Sequence, residues 1–513
     1  MAITRIERGR WWLAILIGGQ CWASTAAAQT WRVEPSIKAT TTATNNSGFA
    51  SATDLGGDVI LEVTPRLAAT GRGAMYTLNG TVQADSVTYT RNTVANQFIP
   101  KANLAANATA IDRWLYLDAG VELEQFTGNP FSAASSGSLP EQRRRATQYR
   151  LSPYIDHAFT PSVSLLYRSD NAWSRVTRND AVTAQQRSES ELHSHSLAFI
   201  QRPLPFGYAL EAKQEAVDFV GGESSRVESE SARAVLTYAV DPTLILGAVM
   251  GAERNTIASS TSRETIRGLR VRWRPSERTD LDASAERRFF NSGWNLTWSH
   301  RSPFAAMNLD LSKQVASRPT SIVLANTGGD LRRLIDAAYT TRFPNPTERA
   351  AVVDAALATF GASAGTTGPI AVFSDYAQLE RRAAFTVAFL SPLSVLTVGL
   401  FSSEAIQLQR PDAPALPLPP INADNAQIGG SAVFGRRLTT TFTLGASLSG
   451  VKIEGRGTAQ GQSTSTKTAS LSGNQQVAPS TRLVGGTRRQ ISNSNVVRST
   501  RETAAFIGIE HRF

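Results

Sequence analysis

Three groups of residues in this sequence have the types and spacing to do chemistry. His193 and His195 stand two apart. On a strand that spacing puts both imidazoles on one face, where they could supply two ligands of a metal site. No third ligand accompanies them, and lumen or rim positions on a strand account for them more simply. Glu122 with Glu124, and Glu228 with Glu230, are carboxylate pairs of the same spacing. Glycoside hydrolysis needs two carboxylates across a substrate at set separations, so both pairs are expected to be ordinary lumen charges instead. The third group is cationic. Arg270, Arg272 and Arg274 form a row, and Arg287–Arg288, Arg332–Arg333, Arg381–Arg382 and Arg488–Arg489 are adjacent pairs of which only one member can share a given strand face. Glu122, Glu211 and Glu286 can pair with some of these cations. No nucleophile elbow, phosphate loop or calcium loop occurs. The sequence therefore predicts no enzyme, no catalytic residue, no cofactor and no metal. It predicts a charged surface, Arg270, Arg272, Arg274, Glu122 and Glu124 among it, which can be either a structural charge network or a selectivity path.

The elements that carry these residues read as strands of about 10 to 17 residues with alternating faces. Leu115, Leu117, Ala119, Val121 and Leu123 alternate with Asp118, Glu122 and Glu124. Leu269, Val271 and Trp273 alternate with the arginine row. Trp294, Leu296, Trp298 and His300 alternate with Asn295, Thr297, Ser299 and Arg301. The connections also alternate. One kind is short and proline-bearing, as in FTPS at 159–162, LPFG at 204–207, VDPT at 240–243 and RPSE at 274–277. The other is long and polar, as at 128–142, 177–190, 411–424 and 455–465. Outer-membrane barrels have short periplasmic turns and long outer loops. An arginine or lysine facing lipid at mid-membrane costs roughly 2–4 kcal/mol, so the charged faces belong in the lumen. Strands rising from the short-turn side begin near Trp31, Gly73, Arg113, Ser162, Phe206, Thr243, Thr279, Phe304, Leu393, Leu438 and Ser480. Each is followed by a loop and a descending strand. The expectation is an all-β, antiparallel, up-and-down transmembrane barrel of about 22 strands (roughly 18–24), with both termini in the periplasm.

The two ends agree. Residues 500–513 put Ala505, Ile507, Ile509, His511 and Phe513 on one face, and Glu502, Ala504, Gly508, Glu510 and Arg512 on the other, with Phe506 as the exception. A closing strand with a terminal aromatic is the end that the barrel-assembly machinery reads, so Phe513 is the expected assembly signal. At the start, Arg5, Arg8 and Arg10 precede a short apolar run, and Ala26, Ala27 and Ala28 precede Gln29. This is the pattern of a secretory signal over 1–28, leaving 29–513 for the barrel. The single cysteine, Cys21, falls within that signal, so no disulfide framework or thiolate site is expected. The formal net charge is +10. In a secreted chain that points to anionic polymers or an anionic cell surface rather than nucleic acid.

One stretch breaks the period. Over 329–361 the apolar spacing changes from two to near 3.6. Leu334 and Ile335 lie on one helical face, and Leu357 and Phe360 on another. Between them Asn345 is a good N-cap, Pro346 suits the first helical position, and Glu348 completes a variant of the capping box. Two short helices are expected, at about 330–342 and 346–360, inserted in an outer loop. Their apolar faces must be buried, either in the barrel mouth as a plug or gate or against the rim.

In order along the chain, WRVEPSI (31–37), VTPRL (63–67), RWLYLDA (113–119), WNLTWSHRSPFAAMNLDLSKQV (294–315), RFPNPTERAAVV (342–353) and DYAQLERRAAFTVAF (375–389) resemble an uncharacterised family of outer-membrane β-barrels associated with the PEP-CTERM/exosortase system of Gram-negative bacteria. The resemblance covers essentially the whole chain after the signal. It implies an outer-membrane location and an association with exopolysaccharide biosynthesis and protein sorting. It implies no enzyme activity and no catalytic residues. The expected function is a pore or conduit linked to exopolysaccharide export. Its expected partners are the lipid bilayer, lipopolysaccharide, the barrel-assembly machinery, anionic polysaccharide and periplasmic export components. The alternative is a non-conducting barrel that docks surface proteins or matrix.

Overall fold

The computed structural model describes residues 30–47, 56–92, 94–127, 131, 143–178, 187–220, 225–257, 260–316, 335–336, 339–340, 349, 352–353, 377–408, 424–496 and 499–513. The expected signal, 1–28, lies outside them. The strands form one 22-stranded sheet. In chain order β1 is Thr30–Thr44, β2 Asp58–Arg72, β3 Tyr76–Tyr89, β4 Gln97–Ile111, β5 Leu115–Thr127, β6 Arg143–Ala158, β7 Val163–Arg178, β8 Arg187–Gln201, β9 Phe206–Val220, β10 Ser225–Asp241 and β11 Leu244–Ile257. The second half continues with β12 Ser260–Ser276, β13 Thr279–Arg288, β14 Asn291–Arg301, β15 Ala305–Ala316, β16 Gln378–Leu390, β17 Ser394–Gln407, β18 Asn425–Arg437, β19 Phe442–Gly455, β20 Ser463–Ala478, β21 Thr481–Ser494 and β22 Thr500–Arg512. Every strand pairs antiparallel with its chain neighbours, and β22 pairs with β1, from Thr44 opposite Ala504 to Ser36 opposite Arg512. The sheet is therefore a closed meander with no free edge, the condition for satisfying every ladder group inside lipid.

The sequence signals work as their chemistry requires. All ten connections from an even- to an odd-numbered strand are two to four residues long and lie at the barrel end where β1 begins and β22 finishes, so both chain ends share this short-turn end, while the long connections lie at the other. Those turns close through backbone bonds such as Val163 N–H to Thr160 O and Phe159 N–H to Val163 O. Along β11 the exposure alternates residue by residue, with Val249, Glu253 and Asn255 buried and Leu246 and Met250 exposed. The outward row on the neighbouring strand is Leu269, Val271 and Trp273. The short-turn end also carries outward aromatics. Trp31, Phe206, Tyr238, Trp273, Phe389 and Phe513 are all exposed there, as an interfacial girdle requires. Trp31 packs across its ladder partner Gly71, where a Cβ would come within 2.8 Å of the indole.

Two expectations need correction. The two-helix insertion is not established. Leu334, Asn345, Pro346, Glu348, Leu357 and Phe360 lie outside the described residues. Ile335, Asp336, Tyr339, Arg349, Val352 and Val353 have helical backbone, but these short pieces do not make two helices. The histidine pair does not face the lumen. By register His193 and His195 share the outward face with Leu197 and Phe199.

The lumen as the candidate functional site

Strand register sets which charges meet inside the barrel. On β9 to β13 the inward rows are Glu211 and Lys213, Arg233, Glu253 and Asn255, Arg270 and Arg272, and Glu286 and Arg288. Of the predicted arginine row, Arg270 on β12 reaches across two intervening strands to Glu211 on β9, its Nη2 donating to Oε2 at 2.8 Å. It also lies 3.6 Å from Glu286. Arg233 stands 3.3 Å from the other Glu286 oxygen. Arg288 closes the set, donating to Glu253 at 2.8 Å and lying 3.7 Å from Glu286. Arg274 pairs with Asp280 at 2.6 Å. Arg272 faces inward opposite Asp282 and, among the described residues, has no carboxylate within 4.0 Å. Two of the three arginines in the row are thus neutralised, Arg270 by Glu211 of β9 and Glu286 of β13, and Arg274 by Asp280 of β13.

The predicted Glu122 and Glu124 also face inward, half-buried, a quarter turn of the sheet away from this network. They share their wall with Arg150, whose guanidinium approaches Gly120 on the same strand as Glu122. Asp118 lies on the same face and is bridged by Arg168 at 2.8 Å, with Asp170 on the other side of that arginine at 2.8 Å. The structure therefore does not bring Glu122 and Glu124 together with the arginine row. Glu228 and Glu230, expected from the sequence to be lumen charges, instead face outward, and Glu228 binds Arg226 at 2.7 Å.

The histidines are accounted for by local bonds. His193 Nδ1 is 2.8 Å from Asn171 Oδ1 and its Nε2 3.0 Å from Glu191, while His195 Nδ1 is 3.1 Å from the Tyr167 hydroxyl. Among the described residues no group of three or more potential ligands is placed to hold a metal.

The inner wall is also covered from within. Ile335 and Val353, fully buried, pack with Ala306, Ala388, Leu390, Val395 and Val433. The five wall residues share the inward face of β15 to β18, near the Ser302–Phe304 and Ser391–Leu393 turns. The connection that carries Ile335 and Val353 leaves β15 at Ala316, at the opposite end. Ile335 and Val353 therefore lie inside the barrel, toward the short-turn end. Tyr339 packs against the same cluster, and Arg349 donates to Asp336 at 2.9 Å, tying two of its pieces together. A second connection also reaches inward. Phe131, between β5 and β6, is buried against Ile453 and Ala459, and its carbonyl accepts from Thr464 Oγ1 at 2.8 Å.

The sequence reading missed the docking positions Ala306, Ala388, Leu390 and Val395, together with Phe131. A signal existed for the first group. The inward face of a wet barrel strand should be polar, yet Ala384, Ala388 and Leu390 occupy it on β16, which implies an apolar occupant. For Phe131 no such signal was available.

No family model matches the chain, and no curated protein matches it. Solved structures do. The FrpB iron transporter from Neisseria meningitidis (F3-3 variant) aligns with TM-score 0.52 at 9% identity over 94% of this chain and 82% of that one. The closed form of the ferric-catecholate import receptor Fiu from K12 E. coli aligns with TM-score 0.50 at 7% identity over 93% and 81%. At these identities the likeness is one of fold. Together with the closed register and the outward apolar face, it makes the chain an outer-membrane β-barrel of the large, 22-stranded kind.

Proposed function

We propose that this barrel is a gated conduit for large polar solutes across the outer membrane, with the segment between β15 and β16 as its plug. The observation that carries the reading is the burial of Ile335 and Val353 against the inward face at the far end of the barrel. A rim ornament would not reach that depth. The charged inner wall suits passage of polar material. The two-helix form of the plug, with capping at Asn345, Pro346 and Glu348, remains part of this proposal. So does the assignment of the solute as exopolysaccharide of the PEP-CTERM/exosortase system, which rests on the sequence resemblance alone.

The orientation belongs to the same reading. The short-turn end, with both termini, faces the periplasm, and the long connections face outside. Arg254 opposite Arg263, and Arg267 opposite Arg287, are outward, exposed cross-strand pairs. Like charges directly opposite are destabilising unless countered. The anionic headgroups of lipopolysaccharide supply that counter-charge, and long arginine stems can snorkel to reach them.

Planar-bilayer conductance of the purified protein tests the conduit, with and without deletion of residues 330–360. We expect little conductance from the intact chain and a large open level after deletion. Absence of conductance in both forms would end this reading and favour a docking barrel.

A further inference from the structure

Beside the ion-paired arginines a cavity of about 250 Å³ lies between the inner faces of β9 to β11 and the tip of the β13–β14 hairpin. That hairpin is short, 10 and 11 residues against 17 for β10 and β12. The pairing of β14 with β15 runs out at Trp294 opposite Lys313. Lys313 therefore stands at the hairpin's upper edge and lines the cavity together with the inward residues Lys213 and Arg233.

The cavity has donors that lack acceptors. Lys313 is only 8% exposed. Its ammonium lies 3.2 Å from Ser292 Oγ and 5.8 Å above the Phe290 ring, and no carboxylate among the described residues forms an ion pair with it. Asn255 is 3% exposed. Its Oδ1 accepts from Ser229 at 2.7 Å, but its Nδ2 has no partner. The Arg233 Nε also lacks a well-directed hydrogen bond. The carboxylates on the cavity wall are already engaged, Glu215 by Lys213 at 2.7 Å and Glu286 by Arg233. Buried donors without acceptors are costly, and an excess of buried positive charge costs more. An anionic ligand removes both costs. The same wall offers the apolar rings of Phe289 and Phe290. The volume corresponds to about eight waters at ~30 Å³ each, more than a small inorganic anion needs. It is below the ~300–1,000 Å³ of pockets that enclose whole drug-sized ligands.

We infer that this cavity binds one negatively charged sugar residue of a larger saccharide, its carboxylate or sulfate held by Lys313 and Asn255 Nδ2 and its ring against Phe290. The inference rests on the conduit reading and names its cargo.

Isothermal titration of the full chain in detergent tests it with three probes: a glucuronate oligosaccharide, an uncharged malto-oligosaccharide and sodium sulfate. The glucuronate oligosaccharide should bind about tenfold or more tighter than either of the others, and more weakly as salt rises. Lys313→Met and Asn255→Leu should each lower its affinity about tenfold. Lys313→Arg should retain binding, which covers the case where Lys313→Met does not fold. Equal binding of the uncharged sugar, equal binding of sulfate, no binding of the glucuronate probe, or unchanged affinity in Asn255→Leu and a folded Lys313→Met overturns the inference. Binding without conductance would sink the conduit and leave this site; conductance without binding would do the reverse.

Discussion

The Glu253 side chain is completely buried and accepts two hydrogen bonds, from Arg288 Nε at 2.8 Å and the backbone N–H of Phe289 at 2.6 Å, with Arg288 Nη2 ion-paired at 2.7 Å. It holds the tip of the β13–β14 hairpin against β11. Removing one partner of a buried pair leaves the other charge uncompensated, at a cost of about 3–5 kcal/mol. Glu253→Gln keeps an acceptor for the Phe289 N–H but strands Arg288, so a loss of about 3 kcal/mol is expected. It is measured as a lower urea midpoint for loss of the compact, heat-modifiable form. Adding Arg288→Met should recover most of that loss; if the double variant is weaker than the single, the pair is not the cause. Sequence alternation placed Arg270, Arg272 and Arg274 on one inward face. It could not say that Arg270 finds Glu211 across two intervening strands, because that pairing depends on register, which a one-residue slip would reverse.

At the scale of elements, the seam between β1 and β22 closes the barrel, and it has a polar clasp. Glu502 is nearly buried, accepts from Arg488 on β21 at 2.9 Å and 3.0 Å, and accepts from Thr44 on β1 at 3.0 Å. One carboxylate thus ties three strands across the junction of the first and last strands. Glu502→Ala should destabilise the folded barrel by about 3 kcal/mol and raise hydrogen exchange selectively in β1 and β22. Uniform exchange across all strands would show that the seam has no special weakness. The strand order was legible because turn chemistry and alternation are local. The starts expected near Phe206 and Thr279 coincide with those observed, whereas the one expected near Leu438 falls at Phe442, where Thr439 Oγ1 caps the turn by accepting from the Phe442 N–H at 2.9 Å. The helical period over 329–361 signalled a different kind of segment, but periodicity carries no information about depth in the lumen. Only the contact of Ile335 and Val353 with β15 to β18 supplies that.

For the whole molecule, closure places Phe513 on the outward face at the short-turn end. It is 77% exposed, packs edge-on against His511 at 4.8 Å, and donates its N–H to Pro35 O at 3.0 Å. That bond is one ladder contact at the end of a sheet, so the ring itself adds little to the finished barrel. Deleting Phe513 should therefore leave the urea midpoint of refolded protein nearly unchanged. It should sharply lower the amount assembled into outer membranes in cells, read by heat-modifiable migration of membrane fractions. Normal assembly would remove Phe513 as the signal. The sequence by itself determined the barrel class, the even strand number and the inward face of Arg270 and Arg272, since these follow from period two, turn composition and the cost of charge in lipid; it did not determine the outward placing of Glu228 and Glu230. Only the tertiary structure decided which charges neutralise one another, how deep in the lumen Ile335 and Val353 lie, and that Lys313 and Asn255 share a cavity. Those facts depend on the register and closure of strands far apart in the chain, and no local pattern encodes the distance between two walls of a ring.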